Sequence, residues 1–196
     1  MAITKVVGAW PEVIDEAVVT TTMIHDRAVT RAKLSFDTLW KVARIDVTSD
    51  ATQADFTGLD GDSDGLYILV FYIKNSTAND ATCGFRFNDD TGTNYNWQEI
   101  HGAGTSTYAN SGSGVDNIKM AHLNAGKENF GVYWIYPKTG QMRYLTGHFA
   151  DTGNRAWHMV GWWTNTADNI TKISIVASAT GAISAGSWFI LYKLGL

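Results

Sequence analysis

From residue 40 onward, apolar stretches of five to nine residues recur, each cut off by a cluster of Gly, Asn, Asp, Ser or Thr. Runs of that length, bounded by turn-forming residues, suit strands and are too short for ordinary helices. The spacing predicts strands over 40–48, 66–74, 82–88, 95–101, 117–123, 130–136, 142–149, 156–164, 170–177 and 187–194. Several alternate, with Ala43, Ile45 and Val47 against Arg44 and Asp46, and Phe85 and Phe87 against Arg86 and Asn88. Such strands bury one face and wet the other. The runs LYILVFYI and WFILY are apolar on both faces, as expected of central strands or of strands whose outer face meets another subunit. Proline occurs only at Pro11 and Pro137. Residues 36–196 are therefore expected to form an all-β antiparallel two-sheet sandwich, of jelly-roll type.

Residues 1–35 read differently. The blocks VIDEAVVTTTM (13–23) and IHDRAVTRAKL (24–34) align at a spacing of 11, matching Val13 with Ile24, Val18 with Val29 and Met23 with Leu34. As a helix, an 11-residue period suits a right-handed supercoil between chains. Against the helix stands the run from Val18 to Thr22, all β-branched, which fits short extended pieces equally well. A single amphipathic helix without a true repeat also remains open. In any of these conformations the segment has too few apolar groups to fold alone. Val13, Val18, Ile24, Val29 and Leu34 are thus the expected oligomerisation contacts of an N-terminal anchor.

At 196 residues the chain holds one sizeable core with an appendage. Its net charge of −4, with only 17% charged residues, lacks the basic footprint that a phosphate backbone requires, so nucleic acid is not an expected partner. The longest apolar run, from Leu66 to Ile73, falls far short of the roughly 18 residues of a membrane-spanning helix. Pro11, Glu12, Asp15 and Glu16 interrupt any secretory h-region, so synthesis in the cytoplasm is expected. The single Cys83 makes no internal disulfide and reads as a small core residue.

The stretch DRAVTRAKL (26–34) resembles the short Asp-x-Ala-Val-Thr-x-x-Lys-Leu repeats that precede globular heads in phage tail fibres and other virion appendages. FTGLDGDSDGLYILVFYI (56–73), FRFNDDTGTNYNW (85–97) and AGSWFILYKL (185–194) are similar to β-sandwich domains of phage and archaeal-virus structural proteins. The resemblance implies a virion component, commonly a homotrimer, contacting other virion proteins. It would expose its sandwich on the particle as a fibre head, spike, turret or decoration, with host attachment as a more specific role. Long fibres carry many repeats where this chain has two, which implies a short anchor. Two other readings stand beside it: a soluble carbohydrate-binding module, and a capsid shell protein whose N-terminal arm grips a neighbour.

Candidate sites are few. Asp60, Asp62 and Asp64 alternate in DGDSDG, the opening spacing of an oxygen-ligand Ca²⁺ loop, with Asp89 and Asp90 as further donors. Phe71 stands where an EF-hand needs glutamate, and the same residues form an acidic turn equally well. Tyr95, Trp97 and Tyr108 flank polar loops and could stack on a host-surface glycan, or simply pack as strand aromatics. Residues 102–114 read as a Gly-rich surface loop. Trp134, Trp157, Trp162, Trp163 and Trp188 are expected to line a core or intersubunit seam. The five histidines show no metal spacing, no Ser sits in a nucleophile elbow, and His148 with Asp151 lacks a nucleophile, so no enzyme is expected. Asp89 and Glu99 would serve glycoside hydrolysis only if folding set them ~5–9 Å apart.

Overall fold

The computed structural model describes residues 39–194. The oligomerisation contacts expected at Val13, Val18, Ile24, Val29 and Leu34 lie outside them. The elements run β1 (Leu39–Asp46), β2 (Gln53–Thr57), α1 (Gly61–Asp64), β3 (Leu66–Lys74), β4 (Ala81–Phe87), β5 (Tyr95–Ala103) and β6 (Ser106–Val115). They continue with β7 (Ile118–Leu123), β8 (Glu128–Ile135), β9 (Arg143–Asp151), β10 (Arg155–Trp163), β11 (Lys172–Ala177) and β12 (Trp188–Leu194).

The strands form two antiparallel sheets packed as a sandwich. One has eight strands in the order β1-β12-β3-β8-β9-β10-β5-β6, the other four in the order β2-β11-β4-β7. The chain passes repeatedly from sheet to sheet, so the folding is jelly-roll-like, and β3 is central as its two-faced apolar run predicts. All the strands expected from sequence are present, most with ends moved by a residue or two. Two were not expected. β2 is a five-residue strand with Gln53, Asp55 and Thr57 facing outward. β6 replaces the surface loop expected over 102–114: it is an edge strand in register with β5, nearly all exposed, so no apolar period marks it.

The core lies between the sheets. Tyr67, Leu69, Phe71 and Ile73 of β3, Tyr133 and Ile135 of β8, and Met159 and Trp163 of β10 face Phe85, Phe87, Ile118, Met120, Ile173 and Ile175 of the smaller sheet, all buried. Phe85 meets Tyr133 edge-on at 5.0 Å across the gap. The Tyr133 hydroxyl donates to the Met120 carbonyl, satisfying the ring's one polar atom inside the core. Bulky rings need gaps opposite them, and glycines supply these. A Cβ on Gly147 would stand 2.3 Å from the Val132 carbonyl oxygen and 2.4 Å from Tyr133 Cδ1. Backbone and a locked core ring cannot yield cheaply, so Gly147→Ala is expected to cost about 2 kcal/mol, read as a lower urea midpoint with unchanged slope.

Candidate functional site

The predicted acidic loop folds as a single turn of helix. Asp60 caps it by accepting from Ser63 N, and also accepts from Asn169 Nδ2 at 2.8 Å. Asp62 turns away to accept from Thr139 N and Oγ1, each at 2.7 Å. Asp64 is buried, accepts from the Tyr67 hydroxyl at 2.7 Å and pairs with Lys193. The three carboxylates therefore tie three different segments together and do not converge. Asp90, the further donor, accepts from Gly92 N, Asn94 and Trp163, and Asp89 pairs with Lys172 at 2.7 Å. Among the described residues no group of three or more His, Cys, Asp or Glu is arranged to hold a metal ion.

The expected stacking aromatics do not form one exposed platform. Alternation along β5 turns Tyr95, Trp97, Glu99 and His101 toward the inside. Tyr95 is fully buried, and its hydroxyl accepts from Phe87 N at 3.0 Å and reaches the Asp90 carbonyl at 3.1 Å. Trp97 is half-buried over Gly112, with Lys119 Nζ 4.9 Å from its ring centroid. Tyr108 alone is well exposed, and it stacks on His101 at 5.0 Å.

That alternation also buries a charge. The Glu99 side chain has no exposed surface, so its ionised form requires partners. They arrive from two strands: Asn110 Nδ2 of β6 at 2.7 Å, Lys119 Nζ of β7 at 3.2 Å and His122 Nε2 of β7 at 3.2 Å. His101 Nδ1 lies 3.4 Å away without hydrogen-bond geometry. Burial alone would push this carboxyl up. The hydrogen bonds from His122 and Asn110 and the charge of Lys119 outweigh it and hold the group at about 2. Trp157 closes the cluster, stacked on Phe149 at 4.6 Å and on His122 at 5.4 Å. Asp89 pairs with Lys172 whereas Glu99 is held by Asn110, Lys119 and His122, so the two carboxylates share no partner. A Lys ammonium against the carboxylate makes this an internal ion cluster rather than a cation site.

The outer face of the eight-stranded sheet has the opposite character. Register places Trp188, Tyr72 and Phe130 in one row across β12, β3 and β8, and Ile190, Val70, Val132, His148 and His158 in the next across β12 to β10. A third row holds Tyr192, Ile68, Trp134, Thr146 and Val160, and Tyr144 pairs with Trp162 beyond it. None of these side chains carries a fixed charge. Charges stand at the margins: Lys41, Arg44 and Asp46 of β1, the last two paired at 2.7 Å, and Lys74 and Glu128 at the strand ends. Phe130 and Tyr144 are 57% and 55% exposed, where a monomer's sheet surface normally carries polar groups. Of the tryptophans expected at a seam, Trp157 and Trp163 are in the core, whereas Trp134, Trp162 and Trp188 stand half-buried on this face. A depression of roughly 260 Å³ opens there between Leu66, Trp134, Tyr136, Tyr144 and Val160.

No protein-family model matches this chain, and no curated protein does. Among solved structures, the chain is similar to the alginate lyase Aly36B, at 13% identity over 77% of this chain and 78% of that one, with a TM-score of 0.36. It is also similar to the Caenorhabditis elegans galectin LEC-6, at 11% identity over 78% of this chain and 96% of that one, with a TM-score of 0.33. Likenesses this distant do not bear on activity or ligand.

Proposed function

We propose that this chain is a structural subunit of a virion, assembled as a homotrimer on the particle surface, with residues 1–35 as the anchor and the sandwich as its projecting head. Its work is packing rather than catalysis, and other virion proteins are its neighbours. The observation that carries this reading is the uncharged outer face of the larger sheet. An apolar surface spanning several strands exceeds what soluble monomers usually leave open, and it is the kind of surface that subunits bury. The resemblance of DRAVTRAKL to fibre repeats supplies the virion setting, and host attachment is its more specific form.

A glycan-binding module is the second reading. The exposed Tyr144 ring beside the roughly 260 Å³ depression supports it, and a sugar would stack there rather than on the buried Tyr95.

Light scattering after size exclusion tests the proposal on the full chain and on residues 36–196. A trimer, three times 21.5 kDa, is expected for the full chain. Monomers in both would sink the trimeric reading and leave the glycan-binding module or a shell-gripping arm as the better account.

A further inference from the structure

We infer that the partner covering the outer face of the eight-stranded sheet is a second copy of this chain, and that a histidine pair at its centre lets the contact hold only near neutral pH. This rests on the structural-subunit reading above and names the surface through which that subunit associates.

The first argument is size. At about 4.8 Å between strands and about 6.7 Å between successive outward residues, the face from β12 to β10 covers about 500 Å² in projection. The neutral margin on β5 and β6, with Gln98, Ile100, Ala109 and Ser111, extends it toward the roughly 800 Å² per partner of a standard stable interface.

The second argument is charge. A partner with its own electrostatic pattern would be matched by complementary fixed charges, and the centre of this face has none. A surface that is neutral across its centre is complementary to itself there, because no like charges oppose one another when copies meet. Trp134, which lines the depression, and Trp162, the register partner of its Tyr144, supply aromatic anchors of the kind that dominate such contacts. The trimerising role expected of residues 1–35 would hold copies within reach, raising their effective concentration.

The third argument concerns His148 and His158, which are direct cross-strand partners in the β9–β10 ladder. Val132 of β8 pairs with His148, Ile100 of β5 pairs with His158, and the Trp134 ring stands 5.6 Å from the His148 ring. Along their own strands the outward neighbours are Thr146 and Ala150, and Ala156 and Val160. None of these neighbours is titratable or charged, so an imidazolium here would have no counter-ion. Elsewhere on the face stand the phenols of Tyr72, Tyr144 and Tyr192, with Lys41, Arg44 and Asp46 on β1 and Lys74 and Glu128 at the strand ends, none of them a register neighbour of the pair. On a free surface, water solvates a charged imidazole. Under a second copy it cannot, and two like charges directly opposite each other repel. Protonation of the pair by acid would therefore dissociate the contact.

The test uses the full chain, measured by light scattering at pH 8 and pH 5.5, with Val132→Lys and the double variant His148→Thr/His158→Thr. Val132 is half-buried and points outward, so the lysine leaves the core intact, and circular dichroism checks that the fold persists. Expected are a multimer at pH 8 whose sheet contact dissociates at pH 5.5, read as stronger acrylamide quenching of the tryptophans even where residues 1–35 keep the copies tethered, at least about 100-fold weaker association through the face for Val132→Lys, and a double variant with equal mass and quenching at both pH values. Acrylamide should also quench the tryptophans of Val132→Lys more strongly than those of the wild type. A multimer unchanged by Val132→Lys, with unchanged quenching, overturns the inference while leaving a trimer joined through residues 1–35. A wild-type monomer at pH 8 overturns both. Dissociation of the double variant at pH 5.5 as readily as the wild type removes the histidines' role.

Discussion

Replacing Trp163 with alanine should lower the stability of the sandwich by about 3–5 kcal/mol, a drop in Tm of roughly 10–20 °C for a domain of this size. The ring is fully buried at the end of β10, stacked on Tyr95 at 6.1 Å and against Phe87 of the opposite sheet at 5.5 Å. The Arg143 guanidinium covers it, with its carbon 5.5 Å from the ring centroid. The indole Nε1 donates to Asp90 Oδ2 at 2.7 Å, so the same side chain pins the turn between β4 and β5. Truncation removes the rings' contact across the two sheets and leaves Asp90 with one donor fewer. Trp163→Phe keeps most of the packing and loses only the hydrogen bond, for about 1 kcal/mol. Calorimetric scans of the three proteins check this ordering. Equal losses for Ala and Phe would mean that the Asp90 bond, and not ring packing, holds this corner.

The architecture was largely legible because antiparallel strands write their burial into sequence with a period of two. β3 illustrates this, since its predicted and observed bounds coincide and its two-faced apolar character correctly announced a central position. β6 escaped for the converse physical reason. An edge strand with both faces in water needs no apolar partner, and its Gly112 is there because the Trp97 indole occupies the space of a side chain, 2.4 Å from where a Cβ would stand. Its Ser and Gly composition therefore looks like a loop. Tyr95 and Trp97 were read correctly as strand residues, but period alone does not say which face is inward. That choice was in fact available. Tyr95, Trp97, Glu99 and His101 share one face, and a face bearing two aromatics is the better candidate for the core. The partners that follow for Glu99 lie on β6 and β7, and nothing local in sequence announces contacts made across sheets. The acidic turn at Asp60–Asp64 is similar. The turn was readable, but the partners that occupy its carboxylates come from Thr139, Asn169 and Lys193, far along the chain.

The inward-facing Glu99 supports a second large effect, one that depends on pH. The folded protein holds its carboxyl at about 2, below an ordinary value of 4.5, and a difference of that size corresponds to about 3 kcal/mol. Because the folded state lowers the value, this stabilisation is fully present above about pH 4.5 and is lost as pH falls toward 2. Glu99→Gln keeps the shape and a hydrogen-bonding oxygen but removes the charge. It leaves Lys119 Nζ, on a side chain only 15% exposed, without its counter-ion. Breaking one side of a buried ion cluster costs about 3–5 kcal/mol, so at pH 7 the variant should unfold at a markedly lower urea concentration. Other carboxylates in the fold, including Asp64 and Asp90, also sit below their ordinary range and give the wild type some acid sensitivity of their own. The diagnostic quantity is thus the difference between the two proteins. That difference should shrink by about 3 kcal/mol between about pH 5 and pH 2, as protonation removes from the wild type what the substitution removed from the variant. A difference that stays constant down to pH 2 would mean that Glu99 contributes through shape alone, and that its imidazole and ammonium neighbours are held in place by something other than its charge.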